Sequence, residues 1–253
     1  LLQSGPRKLE TGVTTTLRDV APLGATDAVA VGDDGMVLRL PGLRPSPLPT
    51  GREENLYGVY VTRGERTYAV GQRGIVLRID GTAVSVDRDP SGPALRAVTA
   101  CGGGLYAVGD DGRVLARGGD AEAEGTWRRI NVTDREDWTD LSCYNGRPVA
   151  SGDKGGVLML GAFAESVRFD SGSERGLRGI GGAEGAPTWI VGDGGMLAQL
   201  DRTRLHILTA GHTGTLFDVH PLGGAMVAVG AYGAILRFNG ERLTVAESPT
   251  DAA

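Results

Sequence analysis

A five-residue phrase, Val-Gly-x-x-Gly or a close variant, recurs six times in this chain at nearly constant spacing. The copies begin at Val31, Val70, Val108, Ser151, Val191 and Val229. Successive copies start 39, 38, 43, 40 and 38 residues apart. A period of about 40 residues predicts a repeat architecture in which each unit packs on its neighbours. Such folds more often present binding surfaces than enclose one reactive pocket, so the repeat favours binding over catalysis.

Each repeat contains four short apolar runs that are separated by turn residues. In the second repeat the runs are residues 56–59, 67–70, 75–79 and 82–86. They are rich in Val, Ile and Leu and too short for helices, which favours strands. Asp80-Gly81 and Asn239-Gly240 are typical of tight hairpin turns. Four antiparallel strands per unit of about 40 residues predict the blade of a β-propeller.

The unbroken period predicts one all-β domain, a single β-propeller spanning residues 1–253. The predicted complete blades are residues 17–49, 55–88, 95–132, 138–170, 177–209 and 216–248. Residues 1–12 resemble the segment from Leu236 to Thr244, so we expect them to form the outer strands of a partial seventh blade. Since position 1 is not Met, we expect the chain to continue upstream. The alternative is a six-bladed ring with a short surface tail.

The repeats also resemble a known family. Residues 106–115 (Tyr-Ala-Val-Gly-Asp-Asp-Gly-Arg-Val-Leu) and 227–237 are similar to the repeat of photosystem II assembly/stability factor-like propellers, which belong to the wider BNR (Asp-box) group. Gly125-Thr126-Trp127 resembles the end of an Asp-box. The resemblance implies a propeller with a non-enzymatic assembly or binding role, often within a larger bacterial protein. The full box, Ser-x-Asp-x-Gly-x-Thr-Trp, is intact in no repeat, which weighs against sialidase activity.

No pattern in the chain indicates a catalytic, cofactor or metal site. The three histidines, His206, His212 and His220, are scattered without ligand spacing. The glycine-rich phrase is not followed by the Lys-Ser/Thr of a phosphate loop. A net charge of −5 without a basic stripe makes nucleic acid a poor partner. No apolar run approaches the length that spans a membrane, so we expect no direct membrane insertion.

Acidic residues concentrate in the Val-Gly-x-x-Gly tips. In a four-stranded blade, the second-to-third hairpin and the blade-to-blade connection lie at the same end, so these tips are expected to share one surface. The candidate partner-binding residues are Asp33, Asp34, Asp110, Asp111, Asp153 and Asp193. One interpretation is that Asp simply favours tight turns. The other is an acidic rim that selects a basic protein surface or divalent cations.

The predicted function is therefore a non-catalytic scaffold for protein–protein or interdomain interaction. The alternatives are a lectin-like propeller and a sialidase-type glycoside hydrolase. Repeated positions hold Gly and aliphatic residues rather than sugar-binding aromatic groups, which favours the scaffold.

Cys101 and Cys143 are offset by one residue on first strands of neighbouring blades, so we expect their side chains to lie on opposite strand faces as two buried thiols. Unpaired cysteines favour a reducing compartment, so we expect a cytoplasmic rather than an exported protein.

Overall fold

The structure is a computed structural model that describes residues 8–118, 125–161, 166–182, 187–202, 204–209 and 211–247. Its regular elements in this part of the chain are strands and single turns of 3-10 helix. The strands form six four-stranded antiparallel sheets, and each sheet contains four strands that are consecutive in sequence. The chain divides into two compact units.

The first unit, Glu10–Trp138, contains three sheets. Sheet 1 consists of β1 Leu17–Pro22, β2 Ala28–Gly32, β3 Val37–Leu40 and β4 Ser46–Leu48. Sheet 2 consists of β5 Leu56–Val61, β6 Thr67–Gly71, β7 Val76–Asp80 and β8 Ala83–Arg88. Sheet 3 consists of β9 Leu95–Cys101, β10 Gly104–Gly109, β11 Arg113–Arg117 and β12 Trp127–Ile130.

The other three sheets belong to the second unit, which includes the chain from Thr139 onward. The first strand of sheet 4 begins at Trp138, the last residue of the first unit. Sheet 4 consists of β13 Trp138–Tyr144, β14 Arg147–Gly152, β15 Gly156–Leu160 and β16 Ser166–Asp170. Sheet 5 consists of β17 Leu177–Gly181, β18 Thr188–Gly192, β19 Met196–Asp201 and β20 Arg204–Thr209. Sheet 6 consists of β21 Leu216–Leu222, β22 Ala225–Gly230, β23 Ala234–Phe238 and β24 Leu243–Glu247.

The core of each unit lies between consecutive sheets. Successive side chains point to opposite faces of a strand. A middle strand of a sheet that has a neighbouring sheet on either side is therefore buried on both faces. In β6, Ala69 packs against sheet 1, whereas Tyr68 and Val70 pack against sheet 3. In β18, Ile190 packs against sheet 4 and Trp189 packs against sheet 6. Within each unit, a sheet therefore presents its front face to the back face of the next sheet, and no single sheet encloses a core of its own.

An aspartate in the first strand ties a sheet to its successor. One carboxylate oxygen of Asp19 accepts the Val20 N–H at 2.7 Å, and the other accepts the Val59 N–H of sheet 2 at 2.8 Å. Asp140 repeats this geometry in the second unit. It accepts the N–H of Leu141 in its own strand and that of Ile180 in sheet 5, both at 2.8 Å. These bonds satisfy edge-strand N–H groups that have no partner within their own sheet.

The six four-stranded antiparallel sheets confirm the predicted repeat unit. The partial seventh blade stays a prediction, because residues 1–7 lie outside the described residues. From Lys8 to Thr16 the described backbone contains no strand, and Leu9 is 41% exposed.

The cysteines differ from the sequence-based expectation. Cys101 and Cys143 are both disulfide-bonded, so the expected pair of thiols is wrong. The expectation assumed that opposite faces of equivalent strands point apart. Within the first unit, consecutive sheets pack front against back, so side chains on opposite faces of equivalent strands point toward each other and an offset of one residue does not argue against a disulfide.

Candidate interaction surface at the hairpin tips

The hairpins between second and third strands are held against the chain that enters and leaves each sheet. The residue after the first tip glycine donates its N–H to the carbonyl just before the first strand. In sheet 1, Asp33 donates to Thr16 at 2.9 Å, and in sheet 3, Asp110 donates to Ala94 at 3.0 Å. The final glycine of the sheet 1 tip, Gly35, donates to Glu54 in the connection to sheet 2 at 3.1 Å. Tips and connections therefore lie at the same end of each sheet, as predicted.

The two glycines of a tip have different roles. The first is extended, with φ of −171° at Gly71 and −174° at Gly192. A Cβ on Gly71 would lie 2.1 Å from the Asn55 carbonyl oxygen, so the close approach of the chain requires glycine. The last glycine has a left-handed backbone, with φ of 64° at Gly112. The residue before it is left-handed too, which places Asp34 and Asp111 at φ 56°.

Three of the six candidate aspartates form two-point ion pairs with an arginine of the first strand. Arg18 donates to both carboxylate oxygens of Asp33 at 2.9 and 2.8 Å. Arg96 binds Asp110 in the same way at 2.7 and 2.9 Å. In the second unit, Arg178 binds Asp193 at 2.9 and 2.6 Å.

These pairs change the electrostatics of the tips. The Arg18 guanidinium holds the pKa of the Asp33 carboxyl below its usual range. Arg178 does the same for Asp193, and the Thr215 hydroxyl adds a hydrogen bond of 3.2 Å. Since each carboxylate already has a cationic partner, these positions present a charge pair and not a bare negative charge.

Asp34 and Asp111 present their carboxylates differently. Both are exposed at the summit of their tips, and neither forms an ion pair within the described part of the chain. Their backbone N–H groups are held by side chains of the following connection. Asp34 donates to Asn55 Oδ1 at 3.0 Å, and Asp111 donates to Asp137 Oδ1 at 2.8 Å. The backbone is thus fixed while the carboxylates point to solvent.

Asp153 lies at the tip of sheet 4 and is half-buried. The hydrogen bond with Asp193 raises the pKa of Arg178, and the charge of Asp153 adds to that rise. The structure therefore places Asp33, Asp34, Asp110 and Asp111 at tips of the first unit, and Asp153 and Asp193 at tips of the second. Within each unit, we call these aspartates and their arginine partners the tip surface.

The sequence reasoning missed the arginines, although the chain carries a signal for them. Arginine is the second residue of the first strand in sheets 1, 3 and 5, as Arg18, Arg96 and Arg178. The same three sheets have Asp directly after Val-Gly. Sheets 2 and 6 lack both residues and have Tyr57 with Gln72, and Phe217 with Ala231. Sheet 4 is the exception, with Thr139 and Asp153. The pairing is visible once the repeats are aligned against one another.

A further contact of the first unit involves an aromatic ring. The guanidinium carbon of Arg96 lies 4.6 Å from the centre of the Tyr57 ring, so Arg96 joins sheet 2 to the tip of sheet 3.

Within the described ranges, no group of three or more His, Cys, Asp or Glu side chains is arranged to hold a metal ion. Nor does any helix among these residues have the length and apolar character needed to cross a membrane.

Comparison with solved structures identifies the fold. YCF48 from Cyanidioschyzon merolae superposes with a TM-score of 0.71 at 15% identity, covering 96% of this chain and 88% of that one. YCF48 bound to a D1 peptide gives a TM-score of 0.70 at 17% identity, with 92% and 81% covered. The WD40 repeats of RRP9 give a TM-score of 0.76 at 11% identity, with 95% and 82% covered.

At these identities the likenesses show the fold alone, which is that of a β-propeller. YCF48 is a photosystem II assembly factor, so the resemblance drawn from the repeats agrees with the structural comparison at the level of fold. No protein family model and no curated protein matches the sequence. The link to the BNR group therefore remains an interpretation of the repeat sequence.

Proposed function

We propose that this chain is a non-catalytic β-propeller scaffold that binds a protein, or another domain of its own polypeptide, through the tip surface. The observation that carries the proposal is the fixed tip backbone that presents exposed charge. The N–H groups of Asp34 and Asp111 are bonded to the next connection, and their carboxylates face solvent. A preorganised charged surface loses little conformational entropy when a partner binds.

Solved structures with this fold support a protein partner. One of them is YCF48 with a D1 peptide bound, and others are WD40 domains. The same comparison supports a scaffold rather than an enzyme. We propose no cofactor, no nucleic acid and no inserted membrane segment for this module.

The geometry refines which partner the surface would select. Asp33, Asp110 and Asp193 are each paired with arginine, so they present fixed dipoles. Asp34 and Asp111 supply the negative charge that attracts a lysine-rich or arginine-rich segment. Each exposed charge would contribute roughly 0–1 kcal/mol alone and would act mainly on the association rate.

The test uses two synthetic peptides of equal length, one with repeated Lys-Gly-Ser and one with repeated Glu-Gly-Ser. Fluorescence anisotropy at low salt should show binding of the cationic peptide only. Replacing Asp34 and Asp111 by Asn, which tolerates a left-handed backbone, should weaken that binding and flatten its salt dependence. The control variant, Glu65→Gln with Asp201→Asn, removes two acidic charges from turns at the opposite ends of their sheets. Equal effects of both variants, or no binding of the cationic peptide, would exclude the tip surface as the site.

We further propose that residues 1–12 supply the outer strands of a partial seventh blade. The resemblance of residues 1–12 to the segment from Leu236 to Thr244, which includes parts of the third and fourth strands of sheet 6, supports this. Slow amide exchange across residues 1–12 is expected, and fast exchange throughout them would exclude this blade.

The compartment remains a proposal. The preference for the cytoplasm rested on two free thiols, and the disulfide-bonded state of Cys101 and Cys143 removes that support. Since disulfides persist in oxidising compartments, the cysteines now favour such a compartment.

A further inference from the structure

The sixth sheet has an exposed face where its counterparts are buried. Val229 in β22 is 43% exposed, whereas Val31, Val70 and Val191 at the same strand position are fully buried. Each of these three valines packs against the sheet that follows its own. Val229 therefore occupies a strand position at which these other sheets contact the sheet that follows.

In the neighbouring strand β23, the residue on the same face is also less buried than its counterparts. Val229 pairs with Ile235 of β23 across the sheet, and Ile235 is half-buried. Its counterparts Val37 and Val76 are fully buried against the following sheet. An exposed valine beside a half-buried isoleucine on two adjacent strands forms an apolar surface that costs free energy in water.

An aspartate completes the pattern at the first strand. Asp218 accepts the Val219 N–H at 2.7 Å with one carboxylate oxygen, as Asp19 and Asp140 do with the residues after them. The second oxygen of those two aspartates accepts an N–H from the following sheet. Among the described residues, the second oxygen of Asp218 has no such donor. We call Asp218, Val229 and Ile235 the open face.

We propose that the open face binds a β-hairpin built like this chain's own inner strand pairs. The hairpin would pack alternate apolar side chains on Val229 and Ile235, and its edge strand would donate a backbone N–H to Asp218. The repeated contact between consecutive sheets supplies the template. In sheet 2, the hairpin of β5 and β6 meets sheet 1 with Val59 and Ala69, and the Val59 N–H binds Asp19.

This occupant follows from the combination of groups on the open face. An apolar side chain alone would cover Val229 without satisfying Asp218. A flexible polar peptide would satisfy Asp218 without covering Val229 and Ile235. A strand edge with alternate apolar residues meets both requirements, because edge strands carry unpaired N–H groups. The inference goes beyond the proposed function, since it uses no residue of the tip surface.

The test uses a labelled peptide of residues 55–72 in which D-proline and glycine replace the three loop residues Arg63, Gly64 and Glu65, so that Thr62 still pairs with Arg66 and the register of β5 and β6 is kept. This turn stabilises the hairpin, which would be marginal alone. Fluorescence anisotropy should show saturable binding to the intact protein. Val229→Lys and Asp218→Ala should each weaken binding by roughly tenfold or more, because one buries a charge and the other removes a charged hydrogen-bond acceptor.

The matched control is Val167→Lys, which places the same charge on an exposed valine of β16. It should leave peptide binding unchanged, and all variants should keep the wild-type melting temperature within about 2 °C. Absence of binding, or an equal loss in the control, would overturn the proposal. Self-association that Val229→Lys abolishes would also overturn it, because the occupant would then be a second copy of the chain. None of these outcomes depends on Asp34 or Asp111, so the proposed function is tested separately.

Discussion

At the scale of single residues, the first glycine of each tip is required for space. Gly109 lies outside the left-handed region, and a Cβ there would lie 2.0 Å from the Ala94 carbonyl oxygen and 2.8 Å from Leu95 Cα. The repeated Val-Gly-x-x-Gly phrase predicts a structural glycine at this position but not its reason. A sequence shows that a side chain is excluded; it does not show whether the backbone angle or a neighbour excludes it.

Gly109→Val should therefore destabilise the protein by about 1–3 kcal/mol, because backbone atoms on both sides would have to shift. The lower end of this range equals the destabilisation that an average point substitution causes. Gly24→Val is the control, since no atom lies within 4 Å of a Cβ at Gly24. Urea unfolding should give a lower midpoint for the first variant only. Equal midpoints for Gly109→Val and the wild type would contradict the close approach.

At the scale of elements, strands and turns could be predicted because they depend on local sequence. Short Val, Ile and Leu runs bounded by Asp80-Gly81 or Asn239-Gly240 determine a hairpin wherever the chain places it. The ion pairs of the tips depend on which side chains the sheet brings together. Arg18 and Asp33 are 15 residues apart and meet only because β1 and β2 are paired. The arginines were for that reason missing from the predicted site.

The aspartate that joins consecutive first strands offers a test of how sheets bind one another. Asp140→Ala leaves the Ile180 N–H without its acceptor, and Ile180 is only 3% exposed. We expect a loss of about 1–3 kcal/mol in the free energy of unfolding. Asp218→Ala is the matched control, because Asp218 has no donor from a following sheet in the described structure and the change should cost under about 0.5 kcal/mol. Chemical denaturation of both variants measures the difference, and equal losses would contradict a bond between sheets.

At the scale of the whole molecule, repetition explains both the success and the failure of the sequence-based predictions. A period of about 40 residues is sufficient to predict that similar sheets stack, so the fold class was accessible. The state of Cys101 and Cys143 depends on how sheets face one another. Opposite strand faces were taken to separate the two thiols, whereas both cysteines are disulfide-bonded and opposite faces of sheets 1 and 2 do meet.

The disulfide should make the stability of the molecule sensitive to reductant. Thiol titration of the unfolded, unreduced protein should detect no free cysteine. Reduction should lower the free energy of unfolding by about 2–4 kcal/mol, since a cross-link restricts the unfolded chain. The variant Cys101→Ala with Cys143→Ala removes the same cross-link and should be insensitive to reductant, which controls for unrelated effects of the reagent. Two free thiols per unreduced chain would contradict the structure, and the cysteines would again favour a reducing compartment.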